Sequence, residues 1–157
     1  MFFLFILLTA LVLLHDFSVV AFIRSDHGHW GSQLVAPYVD DEVAWAIKHH
    51  QGLRFRPAPE FGYEYPGLYT KSFGEDYEPP AYIQDEWKYC EGHRWYESAM
   101  QVVLNDLYAF DPDKVVEIEE FEGVIGRNFR QPEEGLGFDG SPVAHMWRTI
   151  IWPNSFL

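Results

Sequence analysis

The N-terminal stretch of this chain is an almost unbroken apolar run that ends in two ionisable residues. Between Met1 and Leu14 the only polar side chain is Thr9, and the next two residues are His15 and Asp16. A charge buried among apolar side chains is strongly unfavourable unless it is paired, neutralised or bound to a metal. The run is too short to cross a bilayer before it reaches His15. It therefore predicts a buried helix that carries a polar site at its C-terminal end.

A membrane anchor is the alternative interpretation of this run. Extending the segment to Ile23 would place His15 and Asp16 inside the bilayer, which costs about 2.5–3.5 kcal/mol for the aspartate alone. A secretory signal is disfavoured because no basic residue precedes the run and no clean cleavage site follows it. We therefore expect a cytoplasmic protein, with anchoring by residues 1–23 as the alternative.

The composition indicates a single globular domain and argues against some classes of binding partner. The 157 residues suffice for one domain with a substantial core, and 48% of them are hydrophobic, as in globular proteins. With a net charge of −13 the chain lacks the basic surface that nucleic acid or anionic lipid requires, so we predict that it binds neither. The single cysteine, Cys90, excludes an intramolecular disulfide and a cysteine-based zinc cluster.

Helical periodicity recurs through most of the chain and predicts an all-α fold. One helix should begin at His27, capped by Ser25 or Asp26. Further predictions are a helix from Asp41 to about Gln51 stopped by Gly52, a helical stretch over 84–110 broken near Gly92, and a helix over 115–129. Residues 17–26 are expected to form a connector, and the tail from 135 at most a short turn over 145–151.

Residues 53–82 interrupt this pattern. The segment is rich in Pro, Gly and Tyr, and its prolines and glycines are spaced too closely for long helices or strands. A loop of this length inside a small domain is usually functional. We predict one domain over 1–157, with a metal-site core over 1–111, a C-terminal helix and extended tail over 112–157, and this loop as a lid or pocket wall.

Histidines and aspartates supply the candidate chemistry. In chain order the candidates are His15, Asp16, His27, His50 and Asp106. Imidazoles with carboxylates and no thiolate suit iron, manganese, zinc or magnesium-type ions. A carboxylate such as Asp16 is a natural bridge in a two-metal site. His29 and His49 are alternatives to their neighbours as ligands, whereas His93 and His145 belong to no motif.

This pattern resembles the HD superfamily, whose metal sites combine a leading histidine, a His-Asp pair and a late aspartate on another helix. Its dinuclear members carry two more histidines between the pair and that aspartate. The positions of His27, four residues before Gly31, and of His50 are similar to that insertion. The resemblance implies an HD-domain-like helical bundle in which His15, Asp16, His27, His50 and Asp106 hold two divalent ions of the Fe, Mn or Mg type.

Two segments carry a more detailed likeness. Residues 46–55 resemble the corresponding helix end in the phosphonate-cleaving diiron oxygenases and in inositol oxygenase, and Asp106-Leu107-Tyr108 resembles the Asp-Leu-Tyr of inositol oxygenase. One departure is that no histidine precedes His15, where the family has its leading ligand. The interpretations left open are a truncated or divergent N-terminus and an ion held by fewer ligands.

The resemblance implies three alternative functions. The first is a metal-dependent phosphohydrolase in which Asp16 is catalytic and Arg54 and Lys48 bind a phosphate- or phosphonate-bearing small molecule. The second is a diiron oxygenase acting on a small polyol or organophosphonate. The third is a degenerate, non-catalytic HD domain or a membrane-anchored binding module. For Arg54 and Lys48, surface ion pairs are the alternative role.

Overall fold

The structure, a computed structural model, describes residues 14–20, 26–107 and 117–130. Within these ranges the chain is mostly helical and contains no strand, which confirms the all-α prediction. The helices are α1 (Phe17–Val20), α2 (His27–Val35), α3 (Asp41–Leu53), α4 (Gly67–Phe73), α5 (Ala81–Glu91), α6 (Tyr96–Leu107) and α7 (Glu122–Asn128), and short 3₁₀ turns occupy Pro59–Phe61 and Ile118–Glu120.

Helix α3 is the centre of the bundle, because it packs against α2, α5 and α6. One face of α3 presents Val43, Ile47 and His50, which are 0–1% exposed and follow the spacing of a single helix face. The facing side of α6 presents Ala99, Val102 and Val103, also at 0–1%, and ends in buried Asp106. The core thus runs directly into a polar group at the end of α6, as the helical spacing predicts.

Helices α2 and α3 approach each other closely at Gly28. A Cβ atom on this glycine would lie 2.8 Å from the Ile47 carbonyl oxygen and 2.9 Å from that of Lys48. Both atoms belong to the α3 backbone and cannot move aside as a side chain can. Gly31, one turn further on, faces the His15 carbonyl oxygen at 3.4 Å. Because Gly28 directly follows His27, this approach sets where that imidazole lies relative to α3.

The ends of α2 and α3 differ from the sequence predictions in part. Helix α2 begins at His27 as predicted, but Asp26 adopts a left-handed conformation (φ 51°) and its side chain does not cap the helix; Ser25 lies outside the described residues. Gly52 does not stop α3, which continues to Leu53. The glycine serves packing instead, because its carbonyl oxygen accepts a hydrogen bond from Trp87 Nε1 at 2.8 Å and Glu86 occupies the space of a side chain.

The segment over 53–82 contains no long helix, as predicted, but it is ordered by local elements. It holds a 3₁₀ turn and the seven-residue helix α4, and Ala58 and Tyr63 exchange backbone hydrogen bonds. Tyr63 is 1% exposed, so the segment is anchored in the core. The predicted break near Gly92 is confirmed, because α5 ends at Glu91 and α6 begins at Tyr96.

Two other sequence predictions are corrected. The connector over 17–26 contains the short helix α1. Of the helix predicted over 115–129, the part that the structure describes, from residue 117, is a 3₁₀ turn followed by α7. The predicted helix over 1–14, apart from Leu14, and the turn over 145–151 lie outside the described residues. Among the helices that the structure describes, none combines the length and apolar character needed to cross a membrane.

Candidate metal centre

The five ligand candidates converge at one place, although they come from four separate segments. His15 and Asp16 precede α1, His27 begins α2, His50 lies near the end of α3, and Asp106 lies near the end of α6. Nitrogen or oxygen atoms of His15, Asp16 and His50 all lie within 4.8 Å of one another. Asp106 Oδ1 is 3.6 Å from His15 Nε2. The spatial grouping that the sequence predicts is therefore present.

Asp16 lies between two of the imidazoles and faces each with a different oxygen. Its Oδ1 is 3.4 Å from His27 Nε2, and its Oδ2 is 3.5 Å from His15 Nε2. Its side chain is 52% exposed, against 8% for Asp106. Asp16 is thus both the central carboxylate of the cluster and the part of it that solvent reaches most easily.

His27 and His50 face each other through their Nε2 atoms, which are 3.1 Å apart. Two nitrogen ligands about 2.1 Å from one ion lie about 3.0–3.4 Å apart when the angle at the ion is between octahedral and tetrahedral values. The separation of the two nitrogen atoms is therefore compatible with their coordinating one ion. In the metal-free chain the same distance is a hydrogen bond, with one imidazole donating to the other.

The backbone of α3 determines which nitrogen of His50 carries the proton. Its Nδ1 donates to the Ile47 carbonyl oxygen at 2.6 Å, so its Nε2 presents a lone pair to His27. Burial, together with the positive charge that His15 can carry, lowers the pKa of His50 to about 3. The imidazole is consequently neutral at physiological pH, which is the form that binds a metal.

Asp106 is held as an anion by its neighbours. Burial would raise the pKa of this carboxyl, but the hydrogen bond with His15 and the charge of Arg54 together hold it below its usual value. Arg54 NH1 lies 2.5 Å from Asp106 Oδ2, while Oδ1 faces His15. The guanidinium therefore occupies one carboxylate oxygen and leaves the other directed at the cluster.

The titration of His50 makes the metal-free chain less stable in acid. The pKa of His50 is about 3 when folded and near 6.5 when unfolded, so below pH 6.5 the unfolded chain binds a proton that the folded chain does not. The contribution of His50 to the free energy of unfolding is therefore fully present above pH 6.5 and is lost as the pH falls from there toward about 3. Between about pH 7.5 and about pH 5 we expect the free energy of unfolding to drop by about 2 kcal/mol. Urea denaturation at the two pH values, with a chelator present, measures this drop in the free energy of unfolding.

The variant His50→Gln isolates this contribution, because glutamine does not titrate in that range. Its loss of unfolding free energy between the same two pH values should be smaller than that of the wild type by about 2 kcal/mol. Equal losses in the two proteins would contradict the assignment. Histidine ring signals in NMR provide a second test, since His50 should show no titration above about pH 5.

Other candidate residues lie away from the cluster. Lys48 is exposed and lies on the face of α3 opposite His50, because residues two apart are about 200° apart around a helix. The structure therefore does not bring Lys48 to the predicted substrate site. His29 is exposed, and His49 is buried against α5, where its Nδ1 lies 2.7 Å from Glu86 Oε1. His93 stacks on Trp45 at a centroid distance of 4.1 Å, and His145 lies outside the described residues.

Two supporting contacts of the cluster were not predicted from the sequence. The Tyr63 hydroxyl donates to the Arg54 carbonyl oxygen at 2.7 Å, which ties the irregular segment to the residue beside Asp106. The Ser18 hydroxyl donates to the His27 carbonyl oxygen at 2.8 Å and so joins α1 to α2. Neither contact has a signal in the sequence, because each depends on two segments meeting in space.

Comparisons of this chain with protein-family models, with curated proteins and with solved structures find no match.

Proposed function

We propose that this chain is an HD-type metal-dependent phosphohydrolase whose cluster holds two divalent cations of the Fe, Mn or Mg type. The observation that carries the proposal is the position of Asp16. Its two oxygens face two different imidazoles, at 3.4 Å for His27 and 3.5 Å for His15. A carboxylate placed in this way can bridge two ions.

The donor set divides into two groups around that carboxylate. His27, His50 and Asp16 Oδ1 would hold one ion, and His15, Asp106 Oδ1 and Asp16 Oδ2 would hold the other. Three imidazoles and two carboxylates form a set of nitrogen and oxygen ligands that suits such ions. When bound, the ions would lower the pKa of a water molecule and stabilise negative charge on a phosphoryl group.

The position and donors of Arg54 favour a substrate that carries an anionic group. Its NH1 is engaged with Asp106, whereas its Nε is buried and makes no hydrogen bond within the residues that the structure describes. A guanidinium group presents several donors in one plane and matches the oxygens of a phosphate. We infer that the remaining donors of Arg54 orient the phosphoryl group, while its NH1 keeps Asp106 in place.

Asp16 defines the side from which substrate approaches, because its side chain is the most exposed of the five. In the proposed reaction a water oxygen forms a bond to phosphorus as the ester P–O bond breaks. A proton of the water passes to solvent on this open side of the cluster, and the departing oxygen takes up a proton, while Asp16 stays in place as the bridging carboxylate. The products are a phosphate and an alcohol, so no oxidant or reductant is required.

Anaerobic purification followed by elemental analysis tests the proposal. We expect about two equivalents of a divalent metal per chain and metal-dependent hydrolysis of bis(p-nitrophenyl) phosphate or p-nitrophenyl phosphate. Bound iron with oxygen-dependent turnover of a polyol or organophosphonate would replace the hydrolase by the diiron oxygenase. The absence of stoichiometric metal under reducing conditions would contradict both enzymes and favour a non-catalytic HD domain.

A further inference from the structure

A cavity of about 610 Å³ is formed between α2, α3, α5 and the segment over 53–82. Helix α3 contributes Lys48, Gln51 and Gly52, whose spacing of three and four residues places them along one face of the helix. None of the five ligand candidates lines the cavity, so a ligand bound in it would not occupy the proposed phosphohydrolase site. The volume lies within the range of small-molecule pockets, and the chemistry of the walls therefore determines which ligand fits.

Five aromatic side chains line this cavity from different sides. They are Trp30 on α2, Tyr82 on α5, and Phe55, Phe73 and Tyr77 of the segment over 53–82. Phe73 stacks on Tyr77 with ring centroids 4.9 Å apart and meets Phe55 edge to face at 6.2 Å, so these three rings form one continuous wall. Trp30 is 49% exposed and Tyr82 68%, so both offer ring surface that the fold leaves uncovered. Large aromatic groups around one concave surface mark a place where a ligand can be buried.

The faces of these rings carry partial negative charge, which attracts a cation. The protein already uses this interaction elsewhere, since the guanidinium groups of Arg54 and Arg94 lie over the rings of Tyr69 and Trp95. Among the residues that the structure describes, no arginine or lysine lies over a ring of the cavity wall. These ring faces are therefore available to a cationic ligand.

The charged side chains of the lining also favour a cation. They are two carboxylates, Asp26 and Glu86, against the single ammonium group of Lys48. Asp26 and Lys48 are both exposed, so water and salt weaken their fields. Glu86 is more sheltered, with 28% of its side chain exposed. The charge that acts most strongly within the cavity is consequently the negative charge of Glu86.

The carboxylate of Glu86 keeps one oxygen available to a ligand. Its Oε1 accepts a hydrogen bond from His49 Nδ1 at 2.7 Å, which holds the side chain in place. Among the described residues no hydrogen bond reaches Oε2, and this oxygen lies 2.5 Å from where a Cβ on Gly52 would be. Because Gly52 lines the cavity, its lack of a side chain leaves room for this oxygen at the cavity wall.

We propose that this cavity binds a small organic cation whose positively charged nitrogen carries alkyl groups, as in a quaternary ammonium compound. The alkyl groups lie against the ring faces of Trp30, Phe73 and Tyr82, and Glu86 balances the charge. Alkyl groups suit this site because ring faces attract the charge of a cation without supplying the hydrogen-bond acceptors that a bare ammonium group requires. Lys48 opposes binding, and its exposed position keeps that effect small.

Choline and its uncharged carbon isostere, 3,3-dimethylbutan-1-ol, test this proposal on the full chain. The two molecules have nearly the same shape and differ by one charge, and isothermal titration calorimetry measures both affinities. We expect the wild type to bind choline about 5- to 30-fold more tightly, the range from a cation over one exposed ring to a desolvated cation. Equal affinity for the two probes, or no binding of choline at millimolar concentration, would overturn the proposal.

Charge substitutions test the roles of the two sheltered and exposed groups separately. Glu86→Gln keeps the side-chain length and an oxygen for His49 but removes the charge, so the preference for choline should fall about threefold. Asp85→Asn, which removes a charge from an exposed position of the same helix outside the lining, should retain it. Lys48→Gln should raise the choline affinity about twofold, whereas the matched variant Lys88→Gln should leave it unchanged. An undiminished preference in Glu86→Gln, or weaker choline binding in Lys48→Gln, would contradict the proposal.

The aromatic wall is tested by Trp30→Leu, which removes a ring face but keeps an apolar side chain. The substitution should weaken choline about threefold more than it weakens the isostere. Phe129→Leu, which alters a partly exposed aromatic residue outside the lining, should change neither affinity. Equal losses for both probes in Trp30→Leu would mean that burial of apolar surface alone drives binding, against the proposal. Equal melting temperatures of wild type and variants exclude probe binding to a loosened chain as the cause.

Discussion

Asp16→Ala is expected to release both metal ions and to abolish hydrolysis, because its two oxygens serve both groups of ligands. Asp106→Ala should release the ion that depends on His15, and hydrolysis should be lost with it. Losing a residue that merely supports a ligand typically costs 10- to 100-fold in metal affinity, so losing a ligand should cost at least about 100-fold. Elemental analysis after gel filtration, together with hydrolysis rates, measures both effects.

His29→Ala is the matched control for this series. His29 lies two residues after His27 but is exposed and contacts Trp30 rather than the cluster. The His29→Ala variant should retain wild-type metal content and activity, and His49→Gln should likewise retain the metal. Equal losses in Asp16→Ala and His29→Ala would mean that the cluster does not hold the metal.

Gly28→Ala is expected to destabilise the fold by about 1–2 kcal/mol, because the overpacking cost of about 1–3 kcal/mol outweighs the gain of about 0.5–1 kcal/mol that alanine brings to a helix. The added Cβ would lie 2.8 Å and 2.9 Å from two backbone oxygens of α3, so the helices must separate. His27 moves with α2, and metal affinity should fall as well. Urea denaturation and metal titration measure the two consequences.

Gly126→Ala provides the comparison for that substitution. Gly126 lies within α7, and apart from its chain neighbours and the backbone of its own helix no atom that the structure describes lies within 4 Å of where its Cβ would be. The same chemical change should therefore be neutral or slightly stabilising there. If both variants were equally stable, the close approach of α2 and α3 at Gly28 would be disproved.

Helical spacing predicted the parts of this fold that depend on one segment at a time. The buried face of α3 and the inward face of α6 follow from apolar residues three and four positions apart. The start of α2 at His27 was predicted from a cap instead, and Asp26 does not form that cap. The convergence of the five ligand candidates was predicted by resemblance rather than by spacing, since periodicity cannot place residues ninety-odd positions apart together.

The features that the sequence could not supply depend on contacts between segments. Gly52 was expected to end α3, but the proximity of Glu86 makes a residue without a side chain suitable inside the helix. Lys48 and Arg54 were both predicted to bind substrate, but Arg54 pairs with Asp106 beside the cluster, whereas Lys48 lies on the face of α3 opposite His50. In the same way His49 and His50 are adjacent, but one binds Glu86 and the other faces His27.

The contact of Gly28 with the α3 backbone also fixes the register of the two helices. Sliding α2 by one residue would move His27 by about 1.5 Å along the axis and turn it by about 100°, which would carry its imidazole away from His50. The turn between the helices also contributes to this register, because Val39 within residues 36–40 is 0% exposed and belongs to the core. An insertion or deletion there would therefore disturb the core and, through α2, the position of the His27 imidazole.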